Sequence, residues 1–206
     1  MGIELEFKLA VPNPALLEQI LFDQEVAQVR QGNYRLLNMA TVYYDTPDRR
    51  LSQRHWTLRL RQENDAFIVT LKTPAKGRGK ARGEWAVEAS SVACALPQLL
   101  EQGAPSELTE VLADQPILPV CAAQFTRRAA DVVLADGTVC ELCGDIGALT
   151  GGDKEEALCE IEVELKTGNA ETAEAFAGEL MDRFDLREEP RSKFARASAL
   201  AKEGGQ

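Results

Sequence analysis

A chain of 206 residues has the length of one substantial domain. Its 45% hydrophobic and 27% charged residues fit a folded, water-soluble protein, too apolar for a disordered chain and too often interrupted by charge for a membrane span. With 33 acids against 23 lysines and arginines the net charge is −10, the wrong overall sign for a protein whose main task is to grip nucleic acid.

In chain order, period-2 alternation predicts a first strand over Ile3–Ala10. Asn13-Pro14 then supplies an N-cap and a first-turn proline for a helix that buries Leu16, Leu17, Ile20 and Leu21. Four strands follow, over Met39–Asp45, Trp56–Glu63, Ala66–Thr73 and Arg82–Ala89, with Asn64-Asp65 as a turn. The stretch from Leu96 to Asp114 reads as one or two short helices broken at Gly103 and Pro105. Strands over Ala122–Leu134, Thr138–Leu149 and Leu158–Lys166 complete a set of eight, and Asp136-Gly137 between the first two is the clearest hairpin signal. From Ala170, the residues Ala173, Phe176, Ala177, Leu180, Met181 and Phe184 recur at helical spacing, and a short helix starts at Ser192. Residues 1–201 form the domain, and 202–206 are expected to be a flexible tail.

The informative feature is the strand face that carries charge. Glu4, Glu6 and Lys8 share one face and Ile3, Leu5, Phe7 and Leu9 the other. The alternation recurs with Arg59 and Arg61, with Lys72, with Arg82 and Glu84, with Glu141 and Asp145, and with Glu160, Glu162 and Glu164. Two architectures satisfy it: an open sheet with helices on one side and water on the other, or a closed barrel with helices outside and a charged lumen. A closed lumen cannot hold unpaired charge, so it would be wet, cross-paired or filled by an ionic ligand. Acids Glu4, Glu6, Glu84, Glu141, Asp145, Glu160, Glu162 and Glu164 nearly balance bases Lys8, Arg59, Arg61, Lys72, Arg82, Arg127 and Lys193, which suits a metal bound to an anion.

Five scattered cysteines fit reduced, buried thiols rather than a disulfide framework. Cys140 and Cys143 stand three apart in a predicted strand and so point to opposite faces, against a shared metal. Acids stand among the opening residues where the apolar core of a signal peptide would lie, so the cytoplasm is the expected compartment. Lys76-Gly77-Arg78-Gly79-Lys80 lacks the spacing of a Walker loop and reads as a basic hairpin near a tunnel mouth.

These residues also resemble a known family. Glu4-Leu5-Glu6-Phe7-Lys8 is similar to the ExExK signature of the CYTH superfamily, the triphosphate tunnel metalloenzymes. Further motifs follow in order: Tyr43-Tyr44-Asp45-Thr46-Pro47, Leu58-Arg59-Leu60-Arg61, Thr70-Leu71-Lys72, Arg82-Gly83-Glu84, Phe125-Thr126-Arg127, Glu141 with Asp145, Glu160-Ile161-Glu162-Val163-Glu164, and Ser192-Lys193 with Arg196. The resemblance is nearest to the bacterial inorganic triphosphatases. It implies an α+β fold, an eight-stranded antiparallel barrel tunnel with a charged lumen and helices packed outside. It further implies hydrolysis of tripolyphosphate, or of another triphosphate, with Mg²⁺ or Mn²⁺, and no nucleic-acid or membrane partner.

On that resemblance, Glu4, Glu6, Asp145, Glu160, Glu162 and Glu164 hold the metal, since hard divalent ions favour carboxylate oxygens. Lys8, Arg59, Arg61, Lys72, Arg82, Arg127 and Lys193 clamp the phosphates. Glu84, Glu141 and Lys193 serve the chemical step, the two glutamates by orienting water, pairing with clamp bases or reaching the metal. Thiamine-triphosphate hydrolysis, a class IV adenylate cyclase and a noncatalytic polyphosphate- or nucleotide-binding module are the alternatives.

Overall fold

The computed structural model describes residues 5–74 and 82–203, so Glu4 and the basic segment Lys76–Lys80 lie outside the described residues. The backbone of Arg82 is described, and its side chain is not. The elements run β1 (Glu6–Ala10), α1 (Pro14–Leu21), α2 (Gln24–Val29), β2 (Arg35–Asp45), α3 (Arg50–Gln53), β3 (Thr57–Glu63), β4 (Ala66–Pro74), β5 (Arg82–Glu88), α4 (Val92–Glu101), α5 (Glu107–Leu112), β6 (Leu118–Val133), β7 (Val139–Gly151), β8 (Lys154–Thr167), α6 (Ala170–Arg183), β9 (Arg187–Glu188) and α7 (Lys193–Glu203). The helix starts obey their sequence signals. Asn13 Oδ1 accepts from the Leu16 amide at 2.9 Å with Pro14 in the first turn, and Asn169 Oδ1 accepts from the Glu171 amide at 2.8 Å. The Asp136-Gly137 turn forms as expected, with Gly137 at φ +84°, a conformation that costs glycine no Cβ clash.

All strands join one antiparallel sheet in the order β5-β4-β3-β2-β6-β7-β8-β1-β9. This corrects two expectations. The sheet has nine strands rather than eight, and among the described residues no pairing links β5 back to the β1 end, so the barrel is not closed. The reason at that end is β9, whose Arg187 and Glu188 take the outer edge of Ala10 and Leu9. The sheet nevertheless curls, because residues of β1 and of β5 line one shared cavity.

Two apolar cores lie on the convex face. Leu9, Ile161, Val163 and Leu142 pack against Leu17, Ile20 and Leu21 of α1 and Phe176 and Leu180 of α6. Leu58, Val69, Leu71 and Trp85 pack against Ala95 and Leu99 of α4 and Leu108 and Val111 of α5. Burying these leucine-rich faces supplies the main driving force for the fold. A third cluster departs from the expected pattern. Met39, Tyr43, Cys121, Ala123, Phe125, Leu149 and Leu158 lie on the charged face, in register with the acids and bases, and Ala197 of α7 packs into them.

The last helix is therefore inside the curl, a correction to the expectation of helices packed only outside. Gly151 permits the approach, since a Cβ there would stand 2.1 Å from the Ala197 carbonyl oxygen. α7 also runs through Glu203, past the residue 201 expected to end the domain; residues 204–206 of the expected tail lie outside the described set. Cys140 and Cys143 point to opposite faces as anticipated, Cys140 into the α1 core and Cys143 toward Arg127. No described helix is long and apolar enough to cross a membrane.

Candidate active site

α7 covers part of the concave face, and beside it lies a cavity of about 920 Å³. Eleven predicted site residues line it: Glu6, Lys8, Arg59, Arg61, Lys72, Glu84, Arg127, Glu141, Glu162, Glu164 and Lys193. Registry explains the convergence. Glu6 and Lys8 of β1 face Glu164 and Glu162 of β8, Glu141 of β7 faces Glu164, and Lys72 of β4 faces Glu84 of β5. Residues two apart then share the inner face of every strand.

One wall is basic. Arg61 Nε donates to Thr41 Oγ1 at 3.2 Å, and burial together with neighbouring Arg59 lowers the Arg61 guanidinium to about 10. Arg59 Nε is buried and meets no hydrogen-bond acceptor among the described residues. The counter-charge nearby is weak, for Glu84 stands 3.9 Å from Arg59 and 3.4 Å from Lys72. In this structure Glu84 thus pairs with the bases.

The other wall is acidic. Burial first, then the charge of Glu162, pushes the Glu6 carboxyl up to about 8, and the two carboxyl groups share a hydrogen bond. Lys8 lies 3.6 Å from Glu6. At the rim, Glu141 accepts from Arg35 at 2.6 Å and lies 3.5 Å from Lys166, which also reaches Glu164 at 3.1 Å.

Behind this wall is a knot of buried charge. Asp145 and Glu160 do not reach the cavity surface; they are 0% and 1% exposed. Arg127 grips Asp145 bidentately at 2.8 and 2.7 Å and also donates to Glu162. Lys193 Nζ touches all three acids, Asp145 at 2.8 Å, Glu162 at 2.6 Å and Glu160. Arg196 donates to Glu160 at 2.8 Å and to Glu156 at 2.9 and 2.6 Å. Burial alone would raise Glu162, but Lys193 and Arg127 outweigh it and hold that carboxyl well below its ordinary value. Glu160 is raised, because burial there outweighs Lys193. Burial disfavours the Lys193 ammonium, yet Glu162 and Asp145 raise it above its ordinary value.

Carboxylate oxygens of Asp145, Glu160 and Glu162 all lie within 4.8 Å of one another. That donor set, all hard oxygen and adjacent to the crowded Glu6, fits a divalent cation of the magnesium class. Arg196 entered the sequence reading only through the Ser192-Lys193 motif, and Glu156 and Glu189, the latter on the cavity wall 3.9 Å from Arg196, were not picked out. The available signals were spacings: Arg196 falls one helical turn after Lys193, and Glu156 shares the strand face of Glu160.

A curled antiparallel sheet with facing acidic and basic walls, its concave face partly covered by a C-terminal helix that contributes its own cations, defines the class. The chain belongs to the CYTH family, whose domain model matches residues 2–198. It is 29% identical over 177 residues to the inorganic triphosphatase of Haemophilus influenzae, which covers 82% of this chain and 46% of that protein. The chain thus spans about half the length of that relative. Among solved structures, the Hippeastrum protein HpAC1, described as having a dominant triphosphatase activity, matches at 18% identity and TM-score 0.57 over 100% of this chain and 97% of that one. A candidate adenylate cyclase from Bacillus halodurans matches at 21% identity and TM-score 0.57, over 95% and 98%. These two likenesses establish the fold.

Proposed function

We propose that this chain hydrolyses inorganic tripolyphosphate to pyrophosphate and phosphate with Mg²⁺ or Mn²⁺. The observation that carries the reading is the facing of the half-buried arginine pair Arg59 and Arg61, with Arg59 Nε lacking an acceptor among the described residues, against Glu6 and Glu162 across one cavity. A densely anionic phosphate chain satisfies the first wall and a divalent cation the second. The inorganic triphosphatase among the relatives supports the same assignment.

In this reading Arg59, Arg61, Lys72 and Lys8 bind phosphate oxygens and hold the phosphorus in line for attack. Arg82 and Glu4 join the clamp and the metal ligands respectively. Asp145, Glu160 and Glu162, whose carboxylate oxygens lie within 4.8 Å of one another, hold the cation, with Glu6 and Glu164 beside them at the cavity surface. When bound, that ion neutralises phosphate charge and lowers the pKa of a water. Glu84 and Glu141 orient the attacking water from the two sides of the cavity.

Substrate choice follows from chemistry. Among the described residues the cavity offers cations for phosphate oxygens and no comparably explicit set for an adenine or thiazolium ring. Steady-state assays with tripolyphosphate, thiamine triphosphate and ATP, with Mg²⁺, Mn²⁺ or chelator, test this directly. Tripolyphosphate should give the highest kcat/KM, with turnover abolished by chelator. Preference for thiamine triphosphate, cyclic AMP as the main product from ATP, or no turnover of any of the three would overturn the assignment.

A further inference from the structure

The buried charge knot contains three cations that are not equivalent. Arg127 is anchored from outside the carboxylate cluster by its fork on both oxygens of Asp145. Arg196 is anchored on the far side, holding Glu156 and the second oxygen of Glu160, and it does not line the cavity. Lys193 alone stands within reach of all three acids that lie close enough to share a metal ion, and it alone of these lies both in that cluster and on the cavity surface with a flexible, single-point charge.

We propose that Lys193 is a resident counter-ion that holds the place of the divalent cation, and that metal entry exchanges its ammonium out of the carboxylate cluster toward the phosphate chain. The idea rests on the functional reading above and specifies how its metal site is kept in the empty protein.

Three physical points support the exchange. An ammonium and a divalent cation cannot share one ring of three carboxylates, because two positive centres a few ångströms apart in a buried site repel strongly. Three converging carboxylates are costly to bury without matching charge, and where Arg127 meets Asp145 and Glu162 and Arg196 meets Glu160, Lys193 meets all three in the metal-free protein. Lys193 is also the first residue of α7, where a positive charge opposes the helix dipole. Ser192 Oγ accepts from the Ala195 amide at 3.1 Å, so the helix start stays capped while the lysine side chain moves. Phosphate then offers the displaced ammonium a new partner, which makes metal and triphosphate mutually reinforcing ligands.

The test uses Mn²⁺ alone, without phosphate, titrated into the purified full chain and followed by electron paramagnetic resonance of the free ion. Lys193→Met removes the placeholder and keeps the length of the side chain. It should bind Mn²⁺ about tenfold or more tightly than wild type, whereas Arg35→Met, which removes a rim cation paired with Glu141, should stay within about threefold. Unchanged or weaker Mn²⁺ binding by folded Lys193→Met, or an equal gain in Arg35→Met, would overturn the proposal.

A second measurement reads the wild-type protein and uses a variant, the charge-conserving Lys193→Arg, only for assignment. In wild type labelled with ¹⁵N at lysine Nζ, the buried Lys193 ammonium resonance, assigned by its loss in Lys193→Arg, should shift and broaden as Mg²⁺ is added. A resonance that stays fixed at saturating Mg²⁺ would equally overturn the exchange. Neither readout involves turnover, so a failure to hydrolyse tripolyphosphate and a failure of the exchange are distinguishable.

Discussion

Removing Arg127 provides the sharpest test of how the buried acids are held. Arg127→Met keeps most of the side-chain volume and deletes three donated contacts, two to Asp145 at 2.8 and 2.7 Å and one to Glu162. Asp145 is 0% exposed, so no water replaces the lost donors. Lys193 remains against Asp145 Oδ2, leaving Oδ1 as the oxygen stripped of its partner. Breaking a buried pair from one side costs about 3–5 kcal/mol, and we expect about 4 here. In urea this moves the unfolding midpoint and leaves the slope unchanged. Adding Asp145→Leu removes the stranded charge, so the double variant should be at least about 2 kcal/mol more stable than the sum of the two single losses. Strict additivity, within about 0.5 kcal/mol, would refute the view that the two side chains form one electrostatic unit.

Three further outcomes follow from the same geometry. Because the Glu6 carboxyl is raised from 4.5 to about 8, folding of the metal-free protein takes up a proton there, and this stabilisation is complete below pH 4.5 and lost as pH rises through about 8. Glu6→Gln should flatten that part of the stability profile measured by urea unfolding in chelator, by at most about 1.4 kcal/mol per pH unit; an unchanged profile would contradict the assignment. Gly151→Val should destabilise by about 2 kcal/mol or more, since its Cβ meets the backbone of α7 rather than a movable side chain, and amide exchange should show α7 loosened first. Arg59→Ala and Arg61→Ala should each lower kcat/KM for tripolyphosphate by about tenfold or more with little change in thermal midpoint, and activity retained in both would remove them from the clamp.

Much of this architecture is written in strand alternation. Glu6 and Lys8, Arg59 and Arg61, and Glu160, Glu162 and Glu164 occupy the inner face as their spacing requires, because a one-residue slip would turn every apolar partner inside out. Alternation reports a face and says nothing about which edges are hydrogen-bonded, which is why it left an open sheet and a closed barrel equally possible. The short elements escaped for a related reason: Arg187–Glu188 and Arg50–Gln53 are too brief to show a period. The resemblance marked Lys193 as a clamp base, but the seating of α7 inside the sheet escaped, because nothing local tells whether a helix carrying Lys193 and Arg196 faces water or a charged lumen. Their burial depends on acids brought in by β7 and β8, a tertiary fact with no local signal. The same holds for the inner apolar cluster, where Met39, Phe125 and Leu158 sit in register with charged residues and differ from them only in what lies above.

The chain order of the charge knot has a kinetic consequence. β1 emerges first in synthesis, yet its partner β8 follows roughly 150 residues downstream, and the cations that neutralise the buried acids come still later, at 193 and 196. A nascent chain cut off before α7 holds Asp145, Glu160 and Glu162 with only Arg127 to offset them, so the strands that carry these acids gain little by packing early. A chain stalled or clipped before residue 193 would therefore leave its buried acids under-compensated and the inner apolar cluster of Met39, Phe125 and Leu158 without its cover, a surface prone to stick to another chain.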